Sequence, residues 1–123
     1  PFVVPPNVRV PSILEKKNSG RWTTEEHLLF LYAIRLLGTG RGMWKKIGLF
    51  IPTRSKVQVR THAQKVFQKQ AQGIDVFEAL RKNRQLTNYL VSQLTATAEA
   101  ILAKAEEARQ AKTLTSQLMN GSV

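Results

Sequence analysis

The stretch that decides the fold runs from Arg54 to Lys69 and reads RSKVQVRTHAQKVFQK. Ser55 can cap the start of a helix there, and Gln58, three residues later, completes a capping box. Apolar residues recur at helical spacing and form one stripe: Val59, Ala63 and Phe67, with Val66 beside them. The stretch therefore predicts a single amphipathic helix.

The other faces of this predicted helix hold basic and amide side chains, and the stretch contains no acidic residue. Its cations are Lys56, Arg60, Lys65 and Lys69, and they are interleaved with Gln58, Thr61, Gln64 and Gln68. Such a helix can pack its apolar side on a small core and present the rest to an anionic partner. Duplex DNA fits, because guanidinium and amide groups can hydrogen-bond to base edges.

Charge is distributed unevenly along the 123 residues, whose net charge is +11 and whose pI is near 10.6. No acid occurs between Glu26 and Asp75, an interval with nine Lys and Arg residues, which favours a nucleic acid as partner. The chain has no cysteine, no paired carboxylates and no histidine–carboxylate cluster. We therefore expect no enzyme, no cofactor and no metal. Because no apolar run approaches the length of a membrane span, we also expect no membrane contact. Because the chain begins with Pro1 instead of Met, we expect it to be part of a longer protein.

A first helix is predicted over residues 20–37, with Thr23 as its N-cap and Glu26 completing a second capping box. Its inward stripe is Phe30, Ala33, Ile34 and Leu37, closed by Trp22. A second apolar stripe comprises Leu28 or Leu29, with Tyr32 and Leu36. We expect that side to be covered by the chain's own flanks or by another chain.

A short second helix is predicted over residues 43–50, after a glycine-rich turn. Trp44, Ile47 and Phe50 should face the core, while Lys45 and Lys46 face solvent. A turn at residues 52–54 leads into the third helix. Two short helices joined by a tight turn are typical of a helix-turn-helix, in which the later helix contacts the bases.

Three segments resemble the Myb-like DNA-binding repeat of the SHAQKYF class, within the SANT/Myb superfamily. They are WTTEEHLLFLYA from Trp22, GRGMWKKI ending at Ile47, and TRSKVQVRTHAQKVF from Thr53. The signature of the class reads THAQKVF here, with Thr61 in place of serine and Val66 in place of an aromatic residue. The resemblance covers about residues 21–69.

The resemblance implies a three-helix, Myb/homeodomain-like helix-turn-helix whose third helix enters the major groove. Carried over position by position, the base-reading residues are Val57, Arg60, Thr61, Gln64 and Lys65. Helical spacing independently places 57, 60, 61 and 64 on one face, where Arg60 suits guanine, Gln64 adenine and Val57 a thymine methyl group. The residues expected to hold phosphates are Arg21, Lys45, Lys46, Arg54, Lys56 and Lys69. A preference for A/T-rich sites with a GATA or TATC core, and a nuclear location, are implied by the resemblance alone.

The flanks suggest two further segments around a DNA-binding domain at 20–72. Residues 1–19 form a proline-rich arm, which could be disordered; its many apolar residues favour an extended strap that packs against a surface not identified by the sequence. Residues 73–119 form a helical extension, in which Gly73 ends the third helix, Asp75 begins another, and a long helix runs from Leu86 to about Leu118. A weak heptad seam lies on this last helix at Val91, Leu94, Ala98, Ile101, Ala105 and Ala108. The helix either folds back over the first helix or pairs with another chain, as a homodimer or with a partner protein through 76–118 and Leu28, Tyr32 and Leu36.

These observations favour a sequence-specific double-stranded DNA-binding protein, a transcription regulator. Two alternatives stay open: a SANT-like protein-interaction or chromatin module, and a structural subunit of a larger nucleoprotein complex held by phosphate charge. We expect His62 to pack between helices, and Trp22 and Trp44 to belong to the core.

Overall fold

The protein is all-α in the part of the chain that the structure, a computed structural model, describes: residues 2–12 and 16–120. The helices are α1 (Thr24–Leu37), α2 (Trp44–Phe50), α3 (Lys56–Ala71), α4 (Glu78–Lys82) and α5 (Arg84–Asn120). The expected three helices of a helix-turn-helix are α1 to α3, and the expected helical extension is α4 and α5. The predicted fold class is therefore confirmed.

The first helix is the centre of the fold. It starts at the predicted capping box, in which the Glu26 amide donates to the Thr23 hydroxyl at 3.1 Å and the Thr23 amide donates to the Glu26 carboxylate at 2.8 Å. Leu29, Phe30 and Leu31 are fully buried. Successive residues point to different sides of a helix, so other parts of the chain must cover α1 on more than one side at this level. The reason is that α2, α4 and α5 all pack against α1.

The second apolar stripe of α1 is covered for most of its length by the chain itself. Leu28 is 1% exposed and belongs to the same core as Leu80 of α4 and Leu90 of α5. Tyr32 is half-buried, with its ring 5.9 Å from that of Phe50. Leu36 is 61% exposed, so the described part of this chain does not cover it, and only cover by another chain stays a prediction. It lies in the last turn of α1, and the described flanking segments do not extend over that end.

The N-terminal arm lies on the domain without regular secondary structure in its described part. Val8 and Val10 pack against the core, and Pro11 is buried. The Phe2 ring lies 6.2 Å from that of Tyr89 in α5. Of the arm's apolar residues, Ile13 and Leu14 fall outside the described residues. The arm and α5 are thus neighbours on the domain.

The end of α3 has the geometry that its glycine predicted. Gly73 has φ of 88°, its amide donates to the Gln70 carbonyl at 3.0 Å, and the Ile74 amide donates to the Lys69 carbonyl at 3.1 Å. This pair of hydrogen bonds is a Schellman motif, which ends a helix and turns the chain away. The chain then leads into α4, whose start is held by the Asp75 carboxylate accepting from the Phe77 amide at 3.2 Å.

The long helix α5 packs on the domain only through its first part. Leu86 and Leu94 contact the core, and Leu90 is fully buried. From residue 95 to residue 118, every side chain that the structure describes is exposed. Two seam residues, Ala98 and Ile101, have side chains outside the described set. None of the described helices is both long and apolar enough to span a membrane.

Candidate nucleic-acid interface

The start of α3 is held from two directions. Its predicted capping box is present: the Gln58 amide donates to the Ser55 hydroxyl at 3.2 Å, and the Ser55 amide donates to the Gln58 side chain at 2.7 Å. The Gln58 side chain also donates to the Asn18 carbonyl at 2.8 Å, while the Asn18 amide donates to the Thr53 carbonyl at 2.7 Å. The chain just before α1 is therefore tied to the turn that leads into α3.

A buried ion pair lies beneath this junction. The Arg54 guanidinium contacts both carboxylate oxygens of Glu26, at 2.8 and 3.0 Å, and both side chains are 1% exposed. The Thr53 hydroxyl donates to the same carboxylate at 2.6 Å. The remaining guanidinium donors reach the carbonyls of Gly20 and Arg21 at 2.9 and 2.8 Å. Every charge taken from water there is compensated, as burial of an ion pair requires.

Two effects act in opposite directions on the pKa of the Glu26 carboxyl. Burial by itself would raise its pKa, but hydrogen bonds from Arg54, Thr23 and Thr53 outweigh burial and lower the pKa to about 2. Glu26 is therefore ionised at neutral pH. Its negative charge binds the Arg54 guanidinium, and this ion pair fixes the start of α3.

The prediction that Arg54 contacts a DNA phosphate is wrong. Its side chain points into the domain, and its donors are occupied by Glu26 and by backbone carbonyls. The sequence contained a signal for this, because Glu26 is in helical phase with Phe30 and Ala33 of the inward stripe. An acid in a core stripe requires a cationic partner, but the sequence does not say which of the 19 Lys and Arg residues it is.

The proposed reading face of α3 is open to solvent. All five residues carried over from the resemblance are exposed: Val57, Arg60, Thr61, Gln64 and Lys65. Val57 is 74% exposed, which is unusual for a valine and leaves its methyl groups free to meet an apolar surface. The opposite side of the helix is buried through Val59, Ala63 and Val66. α3 thus has one buried side and one exposed side, as the sequence pattern predicted.

Different elements border the two long edges of this face. On one edge, Gly20 and Trp22 line a cleft with Val57, Thr61 and Lys65. On the other edge, Trp44 at the start of α2 lines a cleft with Arg60 and Gln64. The centre of the Arg60 guanidinium lies 6.0 Å from the centroid of the Trp44 ring.

The other cations assigned to phosphates are exposed, in contrast to Arg54. They are Arg21 before α1, Lys45 and Lys46 on α2, and Lys56 and Lys69 on α3. Because neither α2 nor α3 carries an acid, none of these four lysines is neutralised by its own helix. The surface around the reading face is cationic as a result.

His62 packs between α1 and α3, as expected, but it has a partner that the sequence did not suggest. Its ring stacks on Trp22 at 3.9 Å and shares a 2.8 Å hydrogen bond with His27, between His62 Nε2 and His27 Nδ1. Burial, then the charges of His27, Lys65, Lys69 and Arg54, lower the pKa of His62 to about 4. Burial, with Lys69, also lowers the pKa of His27. Both rings are therefore neutral at physiological pH and act as aromatic packing.

No metal-binding cluster of three or more His, Cys, Asp or Glu side chains is found among residues 2–12 and 16–120. The chemistry available at the α3 surface is hydrogen bonding, apolar contact and attraction of anions.

Known proteins are similar to the part of the chain that contains α1 to α3. The family model of the Myb-like DNA-binding domain matches residues 19–67. Protein REVEILLE 7 of Arabidopsis thaliana is 46% identical over 68 residues, which are 55% of this chain and 17% of that protein. Transcription factor DIVARICATA of Antirrhinum majus is 44% identical over 64 residues, 51% of this chain and 20% of that protein. Myb-like protein J of Dictyostelium discoideum is 45% identical over 51 residues, 42% of this chain and 7% of that protein.

The similarity covers only part of these relatives, since the chain spans a fifth or less of the length of each of the three. No solved structure matches the chain. The family match nevertheless coincides with the helix-turn-helix built by α1 to α3, with its capped third helix and exposed basic face. Residues 19–67 of this chain are a Myb-like DNA-binding domain.

Proposed function

We propose that this domain binds double-stranded DNA in a sequence-specific manner and that the chain belongs to a nuclear transcription regulator. The observation that carries the proposal is the reading face: five exposed side chains on a helix whose start is held rigidly by the Glu26–Arg54 pair. A rigid support matters because base recognition depends on placing donors within a few tenths of an ångström. One relative is itself named a transcription factor, DIVARICATA.

Each residue of the reading face has a chemical role in this proposal. Arg60 donates twice to the O6 and N7 atoms of guanine, and Gln64 pairs with the N6 and N7 atoms of adenine. Val57 meets a thymine methyl group, while Thr61 and Lys65 reach further base edges along the same groove. A site rich in A/T with a GATA core, or TATC on the other strand, has one G·C pair for the single arginine of the face.

The exposed cations around the face position the domain on the sugar-phosphate backbone. We assign this role to Arg21, Lys45, Lys46, Lys56 and Lys69, and no longer to Arg54. Such contacts set register and add affinity for any duplex, but they do not distinguish one sequence from another.

Selection of bound duplexes from a random pool, followed by binding of Arg60→Ala to the selected site, tests the proposal. We expect this variant to lose roughly 1–3 kcal/mol of binding free energy and to relax preference at one base pair. Arg35→Ala is the matched control, because Arg35 is an exposed arginine on α1, outside the reading face.

The alternatives predict different outcomes. If random competitor DNA displaces the protein as well as the selected site does, the domain is a phosphate-held subunit of a nucleoprotein complex. If the protein binds a histone tail and no duplex, it is a SANT-like interaction module.

We also propose that residues 20–72 are the DNA-binding unit and that the exposed part of α5 pairs with a second copy of the chain or with a partner protein. Leu114 and Leu118 on that part are 58% and 69% exposed. An isolated helix in water gains little stability from propensity alone, so a segment of this length is expected to have a packing partner. Leu28 is excluded from such a contact because its own chain buries it.

A further inference from the structure

We infer that Trp44 is a positioning residue for base recognition, whose indole face holds the Arg60 guanidinium ready for a guanine. The inference rests on the proposed function, since it assigns a role to the arginine of the reading face. The two residues come from different helices: Trp44 is the first residue of α2, and Arg60 lies in the second turn of α3. Their separation is 6.0 Å, from the guanidinium carbon to the ring centroid, which is within the range of cation–π attraction.

The indole ring is itself held in place by α3. Its centroid lies 6.4 Å from that of Phe67, with the ring planes at 62°. Ala63, which is 1% exposed, lies between Arg60 and Phe67 along the helix and lines the same cleft as the indole. A small residue at this position leaves room for a large ring to approach the helix axis. One aromatic ring therefore meets both the core, through Phe67, and the reading face, through Arg60.

Nothing else in the described part of the chain competes for the Arg60 side chain. The guanidinium makes no hydrogen bond or ion pair with any described residue, and no acid occurs between Glu26 and Asp75. Arg60 differs in this respect from Arg54, whose N–H groups donate to Glu26 and to backbone carbonyls.

A contact with a ring is well suited to an arginine that must still bind a base. Stacking uses the flat face of the guanidinium and leaves its edge N–H donors free, whereas an ion pair would occupy those donors. Holding the side chain in one region also reduces the rotamer entropy that it loses when DNA binds. Trp44 therefore favours the bound arrangement of Arg60 before the DNA arrives.

The test compares Trp44→Leu, which removes the aromatic face, with Trp44→Phe, which keeps one. The quantity measured is selectivity: the ratio of dissociation constants for the selected duplex and for the duplex changed at the base pair that Arg60→Ala identifies. We expect Trp44→Leu to reduce this selectivity roughly two- to fivefold and Trp44→Phe to retain most of it. In the Arg60→Ala background, Trp44→Leu should cause no further loss of selectivity.

Phe50→Leu is the control for packing, because Phe50 is an aromatic residue of the same helix whose ring lies beside Tyr32, away from the cleft that Trp44 and Arg60 line. Equal losses of selectivity in Phe50→Leu and Trp44→Leu would overturn the inference, and so would a loss from Trp44→Leu that persists without Arg60. If Arg60→Ala does not change base preference at all, the proposed function fails. If Arg60→Ala changes base preference and Trp44→Leu does not, only the inference fails.

A measurement on the unsubstituted protein covers the case in which Trp44→Leu does not fold. In the absence of DNA, the indole ring current should shift the NMR signals of the Arg60 δ and ε protons upfield of their positions in an unfolded peptide. Signals at the unfolded-peptide positions would show that the ring does not hold the side chain, and would overturn the inference.

Discussion

The Arg54 guanidinium lies 2.8 Å from the Glu26 carboxylate, in a place where both side chains are 1% exposed. The pair joins the first turn of α1 to the residue before the N-cap of α3. Arg54 also reaches the carbonyls of Gly20 and Arg21, so the segment preceding α1 is held at the same point. Arg54 therefore fixes where α3 begins, and under the proposed function it would contribute to recognition only indirectly, through the position of that helix.

Arg54→Ala should lower the free energy of unfolding by about 3–5 kcal/mol, because it leaves the Glu26 carboxylate buried without its partner. Urea denaturation measures this. Arg21→Ala is the control: Arg21 is exposed, and its loss should change stability by no more than about 0.5 kcal/mol. If Arg54→Ala weakened DNA binding and left the urea midpoint unchanged, the result would instead favour a contact between Arg54 and a DNA phosphate.

Acid should destabilise the domain in two separate windows. The pKa of His62 is lowered from 6.5 to about 4, so the unfolded chain binds a proton more readily, and stability falls as the pH drops from about 6.5 to about 4. His27 contributes in the same direction. For Glu26 the pKa is lowered from 4.5 to about 2, so its contribution is lost between those values. His62→Asn should reduce the slope in the upper window by at most about 1.4 kcal/mol per pH unit and leave the lower window intact. An unchanged upper slope, measured by urea unfolding at each pH, would contradict the assignment.

Lys69→Ala should weaken binding to every duplex by a similar factor and reduce the slope of log affinity against log salt by about one. The physical reason is that one phosphate contact fewer releases one counterion fewer. Lys104→Ala removes an equal charge from an exposed position on α5 and should leave the slope unchanged. A loss confined to one DNA sequence would instead assign Lys69 to base recognition.

Removal of residues 96–123 should abolish self-association, or partner binding, with little effect on the stability of the domain. All described side chains from 95 to 118 are exposed, so the core loses no contact with them. Analytical ultracentrifugation and urea denaturation measure the two quantities. Leu90→Ala is the contrasting variant: this leucine is fully buried, and its truncation should cost about 2–5 kcal/mol. If residues 1–123 sediment as a monomer at all concentrations, the homodimer is excluded.

Local features could be predicted closely from the sequence because each depends on residues a few positions apart. The Thr23–Glu26 and Ser55–Gln58 boxes and the turn at Gly73 are of this kind. A hydroxyl and a carboxyl or amide group three residues apart meet whenever a helix starts between them. The same holds for the separation of the buried and exposed sides of α3, which follows from helical periodicity.

Contacts between elements could be predicted only in part. Sequence spacing placed Glu26 in the core stripe of α1 but did not identify Arg54 as its partner. It also indicated that His62 packs between helices but did not predict its hydrogen bond with His27. The partners lie far apart along the chain, as Glu26 and Arg54 do, and which side chains meet depends on how the helices cross.

By itself, then, the sequence determined the capped starts of α1 and α3, the end of α3 before Gly73, and the acid-free, amide-rich surface of α3. Only the tertiary structure decided that Arg54 turns inward while Arg60 lies exposed beside Trp44, and that the chain buries Leu28 but leaves Leu36 exposed. The physical reason is that periodicity acts within one helix, whereas the burial of a given charge or leucine depends on the helix packed opposite it.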